Sequence, residues 1–109
     1  MGSYHVGEKG GFAMHAVART YTGPGAKQLF DILDQRKTDV ESDLRKVKGF
    51  VGYLLMRTGD GGMSVTVCQD KAGTDESVNV ARDWVQKNAS QAHAAPPTVS
   101  EGPVILLLK

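Results

Sequence analysis

Seven side chains carry most of the chemistry this sequence offers: His15, Arg19, Tyr53, Arg57, Thr66, Cys68 and Trp84. An imidazole exchanges a proton near neutral pH, so His15 is a candidate general base. Tyr53 brings a phenol that can donate a hydrogen bond to a developing oxyanion. Arg19 and Arg57 bring guanidinium groups that hold a carboxylate or enolate oxygen through two parallel bonds. Each has a plainer role beside it. His15 can be a hydrogen-bonded residue at a subunit interface, and the arginines can pair with Asp70 or with helix acids. Cys68 reads as a small packed hydrophobe, because no histidine is fixed beside it by spacing. Trp84 lies one residue off the apolar stripe of its helix and either closes a pocket or packs at the sheet edge. His93 follows a helix, where an imidazolium favours the C-terminal dipole.

Several chemistries are excluded by what is missing. With one cysteine the chain forms no internal disulfide and no thiolate cluster, and no metal site is expected. Asp60-Gly61-Gly62 supplies one acid, too few for a calcium loop. HExxH, P-loop and dinucleotide-binding glycine patterns are absent. Thirteen Lys+Arg against twelve Asp+Glu give a net charge of +1, so no basic stripe suits nucleic acid. Val104–Leu108 is the longest apolar run and is too short to cross a bilayer. The start of the chain has no apolar stretch of signal-peptide length, which makes the cytoplasm the default location. Residues 1–11, rich in glycine, read as a flexible lead-in, leaving residues 12–109 as a single domain.

The elements that must position these groups follow from periodicity. Phe12 to Tyr21 alternates as a strand, with Phe12, Met14, Ala16 and Ala18 on one face and Ala13, His15, Val17 and Arg19 on the other. Thr22-Gly23-Pro24-Gly25 breaks it. From Ala26 to Val47 the apolar residues recur at helical steps, and Gly49 marks the stop. Phe50–Thr58 and Met63–Asp70 read as strands joined by the glycine-rich link Gly59–Gly62, a hairpin. A second helix is expected from about Gly73 to Ala92, capped by Thr74 and ended by Pro96-Pro97. The apolar run Val104–Leu108 reads as a last strand covered on both faces.

The order β-α-β-β-α-β is that of the ferredoxin-like α+β fold, an antiparallel four-stranded sheet with both helices on one face. Packing Phe50, Leu54, Met56, Val65 and Val67 against the helices would turn Tyr53, Arg57, Thr66 and Cys68 the other way, together with His15 and Arg19. Strands apolar on both sides leave a second face to cover, and a second copy of the chain is the simplest cover.

With these elements in place the chain resembles the dimeric α+β barrel superfamily, in particular the antibiotic-biosynthesis-monooxygenase-like and stress-responsive barrel domains. The resemblance is carried by Ala16–Gly25 (AVARTYTGPG), by the first helix, and by Val47–Tyr53 (VKGFVGY), which matches the approach to the second strand. It extends over roughly Phe12 to Lys109. Some members of that superfamily oxidise aromatic substrates with molecular oxygen and no metal or flavin. Others degrade haem, isomerise small molecules, or have no known activity. The haem-degrading pattern is disfavoured, because Ala18 stands where those members carry an asparagine and Trp84 falls in a helix rather than a strand.

Two functions are therefore expected. One is a homodimer with an internal cavity for a small apolar or aromatic molecule. If it is an enzyme, it is monooxygenase-like and cofactor-free, with His15 and Tyr53 catalytic and Arg19, Arg57, Thr66, Cys68 and Trp84 binding substrate. The other is a non-catalytic stress-related or accessory homodimer whose barrel interior is structural. A ligand-sized cavity touching His15 and Tyr53 separates the first from the second.

Overall fold

A computed structural model of the chain describes residues 13–109 together with the backbone of Ser3–His5. Phe12 and most of the expected lead-in lie outside the described residues. Ser3–His5 (β1) forms a short antiparallel ribbon with Leu106–Leu108 (β6).

The main sheet contains β2 (His15–Tyr21), β3 (Phe50–Thr58), β4 (Gly61–Cys68) and β5 (Thr98–Pro103). Their spatial order is β3-β4-β2-β5, every neighbouring pair being antiparallel. This is the ferredoxin-like α+β arrangement expected from the element order. Gly59, at a φ of 51°, makes the hairpin turn with Asp60, so β4 begins two residues earlier than the sequence suggests.

The long first helix is interrupted. It runs as α1 (Ala26–Gln35) and α2 (Lys37–Arg45), with Arg36 at φ −112°, ψ 23° between them. The apolar period continues across this break, since Leu33, Val40, Leu44 and Val47 are all buried. Periodicity reports a shared buried face and does not register a hinge in the axis. The second long helix, α3 (Lys71–Asn88), starts two residues before the expected position, and its cap is Asp70 rather than Thr74. The Asp70 carboxylate accepts the Gly73 N–H at 3.0 Å. Thr74 and Ser77 are buried instead, and so is Trp84, which belongs to the core rather than beside it.

The C-terminal expectation is corrected. The fourth strand is Thr98–Pro103, a polar segment, and not Val104–Leu108. Ile105 is 83% exposed, so the apolar run is not covered on both faces. The polar stretch can serve because β5 is an edge strand, one side of which faces no ladder partner.

Close approach of helices to sheet depends on two glycines. A Cβ at Gly62 would fall on the Phe30 ring of α1, and one at Gly73 would come 2.8 Å from the Cys68 Cβ. Both contacts place the helices on the same side of the sheet.

Candidate functional site

The helix-covered face is built from His15, Val17, Arg19 and Tyr21 on β2, with their β4 partners Cys68, Thr66, Ser64 and Gly62. On β3 the register brings Tyr53 opposite Thr66, Leu55 opposite Ser64 and Arg57 opposite Gly62. The polar groups therefore share one face, as the alternation requires. That face is the one against the helices, which reverses the expected orientation. Leu54, Met56, Val65 and Val67 point to the uncovered side, where Leu54 is 52% exposed. A bulge between Phe50 and Gly52 shifts the strand by one residue. Phe50 thereby joins Tyr53 against the core instead of opposing it.

At the centre of this face stand Arg19, Ser64 and Tyr53. Arg19 is 7% exposed, and its Nε donates to Ser64 Oγ at 3.2 Å. The Tyr53 phenol lies close enough to both to feel their charge and polarity. Burial pushes its pKa up, while the Arg19 charge and the Ser64 hydroxyl pull in the opposite direction without overturning the rise. Tyr53 is thus held protonated at neutral pH, as a hydrogen-bond donor must be. A small void of about 20 Å³ lies beside these groups, bounded also by Tyr21, Phe30, Leu55 and Trp84. Arg36 covers the outer side of Trp84, its guanidinium carbon 5.6 Å from the ring centroid.

Outside the void lies a groove of about 840 Å³, running between α1–α2 and the edge strand β3. Phe30, Val40, Tyr53 and Leu55 line both spaces and so form the wall between them. Leu44 and Phe50 extend the apolar surface, whereas Asp34, Lys37, Glu41, Arg45 and Arg57 are charged. Those charges are committed to one another. Lys37 meets Asp34 at 3.1 Å, Arg45 meets Glu41 at 3.0 Å, and Arg57 meets Asp31 at 2.9 Å and Asp34 at 3.6 Å. The Arg57 guanidinium holds the Asp31 carboxyl below its ordinary pKa, and the Lys37 ammonium does the same for Asp34. Arg57 also donates to the Phe30 carbonyl at 3.2 Å, which ties β3 to α1 across the mouth of the groove.

His15 is elsewhere. It stands four residues from Arg19 on the same strand, a separation of about 13 Å, and lines neither space. Its Nδ1 lies 2.8 Å from the Thr74 hydroxyl and its Nε2 lies 3.7 Å from Glu101. Cys68 is fully buried next to Gly73, and burial raises its thiol pKa, with Asp70 and Glu76 acting in the same sense. A thiol held protonated is a poor nucleophile. Thr66 is packed between Val17 and Tyr53 in the register. His93 is exposed and takes the left-handed conformation after the short helical turn Ser90–Ala92.

Of the residues proposed from sequence, the structure brings Arg19, Tyr53 and Trp84 to one place, with Arg57 at the outer edge. It does not bring His15 or Cys68 there. Ser64 was not anticipated, although the alternation that puts Arg19 on the buried face also selects Ser64 once β2 and β4 are paired. Among the described residues, no group of three or more His, Cys, Asp or Glu is placed to hold a metal ion. No helix among them is long and apolar enough to cross a membrane.

The fold is shared with solved structures described as antibiotic biosynthesis monooxygenases. No protein-family model matches the chain, and no curated protein matches it in sequence. Among solved structures, it is similar to a Caulobacter crescentus protein described as an antibiotic biosynthesis monooxygenase, at 13% identity and a TM-score of 0.65 over 87% of this chain and 92% of that one. It is also similar to a monooxygenase from the ActVA-Orf6 gene of Streptomyces coelicolor, solved with nanaomycin D, at 15% identity and a TM-score of 0.54 over 85% and 88%. A third similar structure is a variant of MhuD with two manganese protoporphyrin IX molecules per active site, at 17% identity and a TM-score of 0.60 over 88% and 98%. At these identities the likeness defines the fold, and function must be argued from the site.

Proposed function

We propose that this protein binds a small, planar, largely apolar molecule in the groove between α1–α2 and β3, and acts on it in a monooxygenase-like manner without metal or flavin. The observation that carries the reading is the groove of about 840 Å³ whose apolar wall ends on the Tyr53 phenol. A cleft with one apolar wall and polar groups along its rim can seat a small molecule by its apolar side. Tyr53 would donate a hydrogen bond to an oxygen of the ligand, Arg19 would stabilise negative charge on it, and Trp84 would close the inner end. Two similar structures hold ring systems, nanaomycin D in one and a manganese porphyrin in the other, which agrees with a flat ligand. His15 stands outside this proposed site.

The competing reading, a non-catalytic accessory protein, draws on the inner void, which at about 20 Å³ is no larger than a water needs. The two are separated by titrating the protein with a panel of flat aromatic ketones, quinones and acids. Trp84 is the single tryptophan of the chain and borders the void, so its fluorescence reports the site. Saturable quenching that Tyr53→Phe weakens supports the binding reading. A panel that leaves fluorescence and melting temperature unchanged removes it.

We further propose that two copies associate through the uncovered sheet face. Across β2, β4 and β3 that face presents the rows Ala16–Val67–Gly52, Ala18–Val65–Leu54 and Thr20–Met63–Met56. These are apolar but for Thr20, and no described helix packs on them. An apolar sheet face of this extent is commonly covered by an identical one about a two-fold axis.

A further inference from the structure

The helical wall of the groove is not held evenly along its length. α1 and α3 lie on the sheet, whereas α2 leans on α3 and α1. Of its own residues α2 buries Val40 and Leu44. It is tied at its two ends. At one, the turn after Arg45 returns the chain to β3, with the Phe50 N–H donating to the Val47 carbonyl at 3.1 Å and Gly49 at a φ of 78°. At the other stands Arg36, whose φ of −112° and ψ of 23° break the helix. The Asp39 and Val40 N–H groups both donate to the Arg36 carbonyl, at 3.0 and 3.2 Å, so α2 starts from that residue. The angle between α1 and α2, and with it the gap between α2 and β3, is therefore set where Arg36 is held.

The Arg36 side chain is held on three sides. Its guanidinium carbon lies 5.6 Å from the Trp84 ring centroid, its Nη2 donates to Asn88 Oδ1 at 3.3 Å, and its Nε donates to Asp39 Oδ2 at 2.8 Å. Asn88 is itself oriented, since its Nδ2 donates to the Trp84 carbonyl at 3.0 Å and leaves Oδ1 for the arginine. One guanidinium thus joins α2, through Asp39, to two residues of α3. A planar fork can stack on a ring and donate sideways at once, which a lysine ammonium cannot. Arg36 does not line the groove, so it touches no ligand there. We propose that Arg36 is a positioning residue that presets the gap between α2 and β3, so that the groove takes thin, flat ring systems and turns away ligands thickened by branched substituents. The proposal deepens the small-molecule reading and rests on it. The side chain is 46% exposed, so each of its contacts is modest and the selection it imposes is a graded one.

The test compares 2-acetylnaphthalene with 2-pivaloylnaphthalene, one ring system carrying a thin and a thick ketone. Both are titrated by calorimetry into the unmodified protein and into Arg36→Ala, Arg36→Lys and Arg82→Ala. The unmodified protein should bind the acetyl compound more tightly. In Arg36→Ala that preference should shrink by about 3-fold or more, the factor an exposed cation–π contact supplies. A loosened α2 admits the thick probe, while the thin one loses its preset gap. Arg36→Lys, which keeps the charge and loses the fork, should fall between. Arg82→Ala removes an exposed arginine whose partner Asn79 is on its own helix, and should leave the preference as it is. Amide exchange adds a readout that needs no ligand: the α2 amides should exchange faster in Arg36→Ala, while those of β2 keep their rate. If Arg36→Ala does not fold, Arg36→Lys carries the same comparisons. An unchanged preference, an equal weakening of both probes, or α2 amides that keep their rate overturns the role of Arg36 and leaves the groove reading standing. Failure of both probes to bind the unmodified protein counts against the groove reading and overturns this inference with it.

Discussion

The His15 Nδ1 atom and the Thr74 hydroxyl stand 2.8 Å apart, and the direction of that hydrogen bond is fixed by a third atom. Thr74 Oγ1 donates its only hydrogen to the Lys71 carbonyl at 3.0 Å in the first turn of α3. With that hydrogen so placed, the hydroxyl accepts from His15 Nδ1–H, while Nε2 lies 3.7 Å from Glu101 Oε1. Thr74→Val removes the acceptor. The expected outcome is a change in the His15 ring nitrogen chemical shifts, with Nδ1 moving more than Nε2. The unpaired Nδ1–H should cost about 1–3 kcal/mol of stability.

Tyr53 should titrate late. Its folded pKa is raised by burial, so the folded state keeps its proton at a pH where the unfolded chain has lost one. The sign follows: the contribution is fully present below the ordinary tyrosine range near pH 10 and is lost as pH rises from there through the folded pKa. Alkaline titration of phenolate absorbance should show a late step that Tyr53→Phe deletes. A variant trace that keeps the late step would assign it to another tyrosine.

Cys68 should be inert in the native protein. It has no exposed surface, and its thiol pKa is raised. A disulfide exchange reagent should label it only as fast as the protein opens, so the rate saturates with reagent concentration. Gly73→Ala, which pushes a methyl group against the Cys68 side chain and the Lys48 carbonyl, should destabilise by about 1–3 kcal/mol and speed labelling.

The association proposed for the uncovered face is tested by charge. Leu54→Glu and Val65→Glu sit in one row of that face, away from the helices. Sedimentation of the unmodified protein at micromolar concentration should give twice the chain mass, and the double variant should give the chain mass with unchanged circular dichroism. A monomer in the unmodified protein would end the proposal.

Much of this architecture was legible in the sequence, because local chemistry specifies it. The β3 limits, the hairpin and the division of β2 into two faces follow from period-two alternation and glycine placement. What was misread depends on long-range partners. The polarity of Thr98–Pro103 hides a strand whose reason for forming is the β2 backbone beside it. The bulge at Val51 reverses the relation of Phe50 to Tyr53, and no residue there advertises it. As for the site, Arg19, Tyr53 and Trp84 were named from their types and faces. A shared strand face does not bring His15 to them, since four residues along one strand span about 13 Å.

The strand order carries a kinetic consequence. β2 is made early, yet it lies between β4 and β5, whose sequences follow it by some forty to eighty positions. Only the β3–β4 hairpin closes locally, so it is the natural place for structure to begin, while β2 has to wait for partners made later. Arg19 sits in the middle of that waiting strand and reaches Ser64 only when the loop of some forty residues between β2 and β4 has closed. During synthesis the guanidinium therefore stays without its Ser64 partner at least until β4 has been made.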